Sequence, residues 1–101
     1  MAWTVTVRDK NVLNGRALYL IEFDPDSATK TIDMTDYDSN IVTAYPVASF
    51  LQATHADCDN VVAKQNSSNA YQIDIALKKD SGAAATGNYQ DGFVLVMGLY
   101  A

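Results

Sequence analysis

The chain lacks several residue types that particular kinds of protein require. Its 101 residues include one cysteine, Cys58, so it forms no internal disulfide and holds no cysteine-based metal framework. Only two prolines occur, too few for a stiff linker, and no apolar run approaches the length that spans a bilayer. The start of the sequence also lacks the basic and then apolar pattern of a secretion signal. We therefore expect a soluble protein that folds in a reducing compartment.

Glutamate is nearly absent, and this shapes the secondary-structure prediction. Eleven of the twelve acidic residues are aspartate, which favours turns and caps, whereas glutamate is the usual acid of helix surfaces. Valine, isoleucine and threonine together number 22, and these β-branched types fit a pleated, half-buried surface. The composition predicts short β-strands joined by many turns.

Alternation of apolar and polar residues supports this prediction. Residues 3–8 alternate, and residues 71–78 do so again. Asn14-Gly15 is a strong hairpin dipeptide, and a strand-like run over 16–23 follows it. An exposed loop is expected over 82–92, and further strands are predicted at 29–34, 41–45 and 93–100.

One stretch fits two structures. Helical spacing relates four residues, Val47, Phe50, Leu51 and Thr54, and Pro46 suits a first helical turn. A short helix near 47–54 and an irregular strand both agree with this pattern, and we favour the strand. The length suits one domain, residues 1–101. We predict an all-β fold, a compact β-sandwich or barrel of about six to eight short antiparallel strands.

Positive charge is scarce, and its distribution excludes two classes of partner. The formal net charge is −5. Residues 22–59 hold eight acids and a single base, Lys30, whereas residues 1–21 carry a net charge of +2 and residues 60–101 are balanced. An acidic surface repels phosphate backbones and anionic membranes, so we expect no nucleic acid and no membrane as a partner.

The acidic loop over residues 33–40 has part of the composition of a calcium site. Asp36, Asp38 and Asn40 have the alternate spacing of oxygen ligands. Ile41 stands where the turn glycine of the calcium motif belongs, and no glutamate closes the pattern. Turn-forming aspartates that bond their own backbone are the better interpretation.

The only histidine and the only cysteine lie together in the segment His55-Ala56-Asp57-Cys58-Asp59. One short segment seldom supplies a full coordination shell, so we interpret it as a loop with an incidental histidine. A small hydrolase centred on His55 agrees with the residue count, but no Gly-x-Ser-x-Gly elbow or glycine-rich phosphate loop accompanies it. We assign no catalytic residue, no metal and no cofactor, and predict a non-enzymatic protein.

Several short segments follow one another in a recognisable order: MAWTVTV at 1–7, VLNGR at 12–16, the strand 17–23, DSAT at 26–29, IDM at 32–34 and QDGFVLVMG at 90–98. This order resembles that of small virion structural proteins of tailed bacteriophages, of the head-decoration or cement type. The likeness covers most of the chain and consists of element order.

The resemblance implies a virion protein, made in the host cytoplasm, that reinforces a capsid without performing chemistry. Its implied partners are the major capsid protein or another virion protein and further copies of itself, with a trimer as one arrangement. Such a protein needs a stable β scaffold with adhesive patches, which we expect at exposed edges of the apolar terminal strands. The predicted interface residues are Trp3, Val5, Val7, Phe93, Val94, Val96, Leu99 and Tyr100.

A carbohydrate- or receptor-binding module on the same kind of particle is the alternative hypothesis. Exposed tyrosines such as Tyr37, Tyr45 and Tyr89 would stack on sugar rings, with nearby carboxylates accepting hydrogen bonds from the sugar.

Overall fold

A computed structural model describes residues 3–101, and nearly all regular structure in them is β. Met1 and Ala2, which open the first segment of the resemblance, lie outside the described residues. None of the helical structure in residues 3–101 has the length and apolar character needed to cross a membrane. One 3-10 turn is present, at Met34–Asp36. The strands are β1 (Thr4–Leu13), β2 (Arg16–Asp24), β3 (Thr29–Asp33), β4 (Ile41–Leu51), β5 (Asn60–Gln65), β6 (Gln72–Lys78) and β7 (Gly92–Tyr100).

The seven strands form two antiparallel sheets, which confirms the prediction of an all-β protein with six to eight strands. Sheet A has the order β1-β2-β7-β4, and sheet B has the order β3-β6-β5. One face of each sheet is buried in a shared core. Sheet A contributes Ala17, Tyr19, Ile21, Phe23, Val94 and Val96, and sheet B contributes Ile32, Ile73, Ile75 and Leu77.

The core is built by strand alternation, because successive side chains of a strand point to opposite faces. On β6, Ile73, Ile75 and Leu77 are buried while the residues between them are half-buried. At one end of the core the Trp3 ring centroid lies 5.4 Å from that of Phe23. The indole Nε1 of Trp3 donates a hydrogen bond to another chain segment, so its polar atom is satisfied.

The segment 47–54 contains no helix, so the helical alternative is wrong. Val47 and Phe50 belong to β4, which lies at the edge of sheet A and pairs only with β7 inside that sheet. The register shifts between Pro46 and Ala48, so Val47 is an extra residue, a β-bulge. A bulge interrupts the alternation of apolar and polar residues along a strand, and for this reason the apolar residues of 47–54 stand at a spacing that resembles that of a helix. Proline is tolerated here because an edge strand leaves one side of its backbone unpaired.

β1 is the other edge of sheet A and carries its own irregularity. Its pairing with β2 shifts register between Val7 and Asp9, which makes Arg8 the extra residue. Arg8, Asp9 and Lys10 are all exposed, so the middle of this ten-residue edge strand is both bulged and charged.

Two glycines of β7 allow neighbouring strands to approach closely. A Cβ atom at Gly92 would lie 2.5 Å from the carbonyl oxygen of Phe50 and 2.6 Å from Cζ of Phe23. A Cβ atom at Gly98 would lie 2.6 Å from Cδ1 of Ile41, the far end of a flexible side chain. Only the first position places a new atom against backbone, which cannot move aside by rotating a side chain.

We predict that Gly92→Ala lowers the free energy of unfolding by about 2 kcal/mol, the range of overpacked cores. Gly98→Ala should cost less because Ile41 can shift. Gly87→Ala is the matched control: a Cβ there meets no atom within 4 Å, so the change should stay within about 0.5 kcal/mol. Urea unfolding of the three variants measures the order. A Gly92→Ala protein as stable as the Gly87→Ala protein would contradict the close approach.

Candidate interaction surface

The eight residues predicted to form an interface occupy three different environments. Trp3, Val94 and Val96 lie in the core, so their side chains are not available to a partner. Val5 and Val7 are partly buried and pack against that core. Phe93, Leu99 and Tyr100 are half-buried.

The expectation that 93–100 offers a free strand edge is wrong, because β7 lies between β2 and β4 and pairs with both. Of residues 3–7, residues 4–7 do lie in an edge strand, β1, but their inward-facing members Val5 and Val7 pack against the core. The surface that β7 offers is therefore its face and not its edge.

The outer face of sheet A is apolar along β7 and the adjoining parts of β2 and β4. Because Val94 and Val96 face the core, the alternate residues of β7 face outward. Register places Leu95 between Leu20 and Ala48. We call the outward set the apolar panel: Leu18 and Leu20 on β2, Phe93, Leu95, Met97 and Leu99 on β7, and Tyr45, Ala48 and Phe50 on β4.

The panel is open to solvent at its β4 side. Tyr45 is 46% exposed and Phe50 is 53% exposed, although both are large aromatic side chains. The ring of Phe50 lies 5.4 Å from that of Phe93, so the two form one continuous aromatic surface. No strand of sheet B covers this face, because sheet B packs on the opposite face of sheet A.

The outer face of sheet B has the opposite character. Thr31 Oγ1 donates to Asp74 Oδ1 at 2.8 Å, and Asn66 Nδ2 donates to the same carboxylate at 3.0 Å. The hydrogen bond from Asn66, followed by that from Thr31, lowers the pKa of Asp74, against the opposing effect of burial. Lys64 stands opposite Asp74 on β5, and these residues line a shallow groove of about 680 Å³. The two outer faces thus differ at their centres: that of sheet B carries an internally bonded polar cluster, and that of sheet A carries the apolar panel.

Charged residues border the panel at both ends of the strands. At one end Arg8 Nε donates to Glu22 Oε1 at 2.6 Å, and Gln52 donates to the other oxygen at 2.9 Å. Asp24 and Asp91 share the same depression. Burial, the adjacent Asp24 carboxylate and the Glu22 charge raise the pKa of Asp91. This end of the panel therefore holds more negative charge than the nearby arginine balances.

A tyrosine–aspartate cluster ties the acidic loop to sheet A. Asp38 Oδ2 accepts a hydrogen bond from Tyr100 at 2.5 Å and one from the buried Tyr19 at 3.3 Å. Lys10 Nζ lies 3.7 Å from the same carboxylate. The Tyr100 hydrogen bond is the main cause that lowers the pKa of Asp38, and the same contact raises the pKa of Tyr100 to about 12. A tyrosine with so high a pKa stays protonated at neutral pH and is a poor general base there. We therefore interpret the cluster as a structural contact that holds the loop against sheet A.

The acidic loop uses its aspartates as backbone acceptors. Asp33 Oδ1 accepts from the Thr35 amide at 2.9 Å and caps the 3-10 turn. Asp38 Oδ1 accepts from the Asn40 amide at 3.0 Å. These bonds confirm the interpretation of this loop as turns made by aspartates that bond their own backbone.

The segment 55–59 forms a tight turn. His55 and Cys58 exchange backbone hydrogen bonds at 3.0 Å, and His55 Nδ1 accepts from the Asp57 amide at 3.1 Å. Cys58 is fully buried, and its Sγ accepts from the Gln90 amide. Within residues 3–101 no three histidine, cysteine, aspartate or glutamate side chains are grouped to hold a metal ion.

The three tyrosines of the sugar-binding hypothesis lie in separate parts of the chain. Tyr45 is on the apolar panel. Tyr37 follows the 3-10 turn and Tyr89 belongs to the loop before β7, and both pack against the core. The structure therefore does not gather them into one stacking surface.

No protein-family model matches this chain, and no curated protein or solved structure matches it either. The geometry of the described residues therefore carries the functional argument.

We predict that Tyr100→Phe lowers the urea midpoint of unfolding at neutral pH, because it removes the main donor to Asp38. The pKa of Asp38 is lowered below its ordinary 3.8, so its contribution is complete above pH 3.8 and is lost as the pH falls through the folded value. The difference between the two proteins should therefore persist down to about pH 4 and close in stronger acid.

Tyr45→Phe is the matched control, since no hydrogen bond joins the Tyr45 hydroxyl to another described side chain. It should leave the midpoint unchanged at every pH. A Tyr100→Phe deficit that is the same at pH 3 as at pH 7 would show that the hydrogen bond to an ionised Asp38 is not its cause.

Proposed function

We propose that this chain is a non-enzymatic structural protein of a phage particle, which binds the capsid or an adjoining virion protein and reinforces it. The single observation that supports this proposal is the apolar panel on the outer face of sheet A. An antiparallel sheet with one face in the core commonly keeps polar side chains on its other face, whereas the outward residues of β7 and of the adjoining parts of β2 and β4 are apolar.

A protein that covers the panel removes its apolar side chains from water, which lowers the free energy. Burial of about 400 Å² of apolar surface contributes on the order of 10 kcal/mol before association costs. Those costs are themselves about 4–15 kcal/mol, so one panel gives modest binding by itself. A repetitive shell compensates for weak single contacts by presenting many of them, which is the physical logic of a cement protein.

The polar residues of the chain support the non-enzymatic part of the proposal. Asp33, Asp38 and Asp74 each accept hydrogen bonds that hold a turn or join two strands. These carboxylates have lowered pKa values, the opposite of what a general acid at neutral pH requires. The resemblance of the element order to that of decoration proteins is the reason for proposing that the chain belongs to a phage particle.

Two measurements test the proposal. Mass spectrometry of purified particles from the phage that encodes the chain should find it at a fixed ratio to the major capsid protein. Particles stripped of the chain should then rebind it from solution, and Tyr45→Lys should weaken that rebinding by about tenfold or more, because it places a charge in the panel.

Val62→Lys is the matched control. Val62 is 48% exposed, close to the 46% of Tyr45, but it lies on the outer face of sheet B. It should rebind like the unchanged protein. Absence of the chain from purified particles, or equal rebinding by the Tyr45→Lys variant, would contradict the proposal.

A further inference from the structure

Unbalanced charges of opposite sign lie at the two ends of the apolar panel. Arg16 occupies the first outward position of β2, is exposed and makes no ion pair with another residue in 3–101. Asp24 occupies the last outward position of the same strand, beside Asp91. Glu22 is already neutralised by Arg8, so the uncompensated negative charge belongs to the two aspartates.

These charges are placed symmetrically about the centre of the panel. Arg16 and Asp24 lie four residues to either side of Leu20, which is about 13 Å along the strand in each direction. A twofold axis that crosses the strands at the level of Leu20 reverses the strand direction between two copies. It therefore brings Arg16 of each copy over Asp24 of the other, and the contact forms twice.

The same axis pairs the most exposed aromatic side chains. On β4, Ala48 stands opposite Leu95 at the centre, while Tyr45 and Phe50 stand opposite Met97 and Phe93 on either side of it. Reversal of the strand direction places Tyr45 of one copy over Phe50 of the other. Both ring contacts and both charge contacts thus arise from one symmetry operation.

We propose that the panel is covered by a second copy of this chain, in a twofold dimer whose A sheets stack face to face with their strands in opposite directions. The inference rests on the proposed function only in taking the panel as a protein-contact surface. The apolar contacts supply the attraction, and the charges at the rim fix the orientation, as charged rims generally do.

The size of the surface agrees with a weak dimer. The three strands of the panel, spaced about 4.8 Å apart and about 30 Å long, cover roughly 430 Å² in projection. Two copies would bury on the order of 900 Å², which lies below about 1,200 Å², in the range of weak and transient interfaces. A dimer of this size dissociates at low concentration, in keeping with assembly on a particle.

Pairing also gives the proposed function a mechanism. A face-to-face dimer carries two copies of the loops at the ends of the sandwich, so one unit can contact two places on a shell through them while the outer faces of the B sheets stay free. Binding at the second place is then intramolecular, which strengthens attachment without any new kind of contact. Loss of the panel would weaken attachment by removing this bivalency.

Light scattering after size exclusion, over about 1–500 µM protein, tests the dimer. The unchanged chain should rise with concentration to twice its 11.0 kDa. Tyr45→Lys should remain monomeric over most of this range, and Val62→Lys should dimerise normally.

Charge exchange tests the orientation. Arg16→Asp and Asp24→Arg should each weaken dimerisation by about tenfold, because each creates two like-charge contacts. The double variant exchanges both charges and should restore the original affinity to within about threefold. Restoration is the expected result, because the exchanged charges again attract each other across the interface. Folding defects in the single variants would instead add in the double variant and weaken it further.

A strict monomer throughout, a trimer, or a dimer that Tyr45→Lys leaves intact would overturn the inference. So would a double variant that is weaker than either single variant. These outcomes are separate from those of the proposed function: a dimer absent from particles would overturn the function alone, and a monomer that rebinds particles would overturn the dimer alone.

Discussion

The central place of β7 in sheet A is the constraint on which the rest of the structure depends. Both of its edges are hydrogen-bonded, so its neighbours β2 and β4 are fixed in register by it. Gly92 admits Phe23 and the Phe50 carbonyl at distances that no larger residue allows, and Gly98 leaves room for the buried Ile41 side chain. Its inward valines enter the core, and its outward residues are also apolar, so the strand that closes the fold also creates the exposed surface.

The polar parts of the molecule complement this arrangement. Asp33, Asp38 and Asp74 act as acceptors at the points where the chain turns or where strands meet. Hydrogen bonds lower the pKa values of these carboxylates, so the carboxylates stabilise the fold in their ionised state. The stabilisation comes mainly from hydrogen-bond donors, and it therefore does not require many basic residues. The tie from Asp38 to Tyr100 also fixes the end of β7 to the loop before β4.

Much of the fold could be predicted from the sequence because alternation is a local signal. The run 71–78 was identified because it has one apolar face, and the run 16–23 because it follows the hairpin dipeptide Asn14-Gly15; they correspond to β6 and β2. β4 was ambiguous because its bulges break the alternation. β5 was not assigned, since Val61 and Val62 are apolar on both faces of a short strand.

The interaction surface could not be predicted in the same way. Which side of 93–100 faces the core depends on strands that are distant in sequence, and an all-apolar strand carries no internal signal for that choice. Val94 and Val96 were therefore grouped with Phe93 and Leu99, although the structure separates them onto opposite faces. The contrast between the two outer faces appears only when β4, β2 and β7 are seen side by side.

The bulge at Arg8 has a consequence for the strand edge that β1 presents to other molecules. A long edge strand offers unpaired backbone groups, and strand-to-strand addition at such an edge has no natural end, so it leads to fibres. An extra residue and three consecutive charges interrupt that edge of sheet A, and Pro46 with its adjoining bulge interrupts the other. Open-ended strand addition is thereby discouraged at both edges of sheet A.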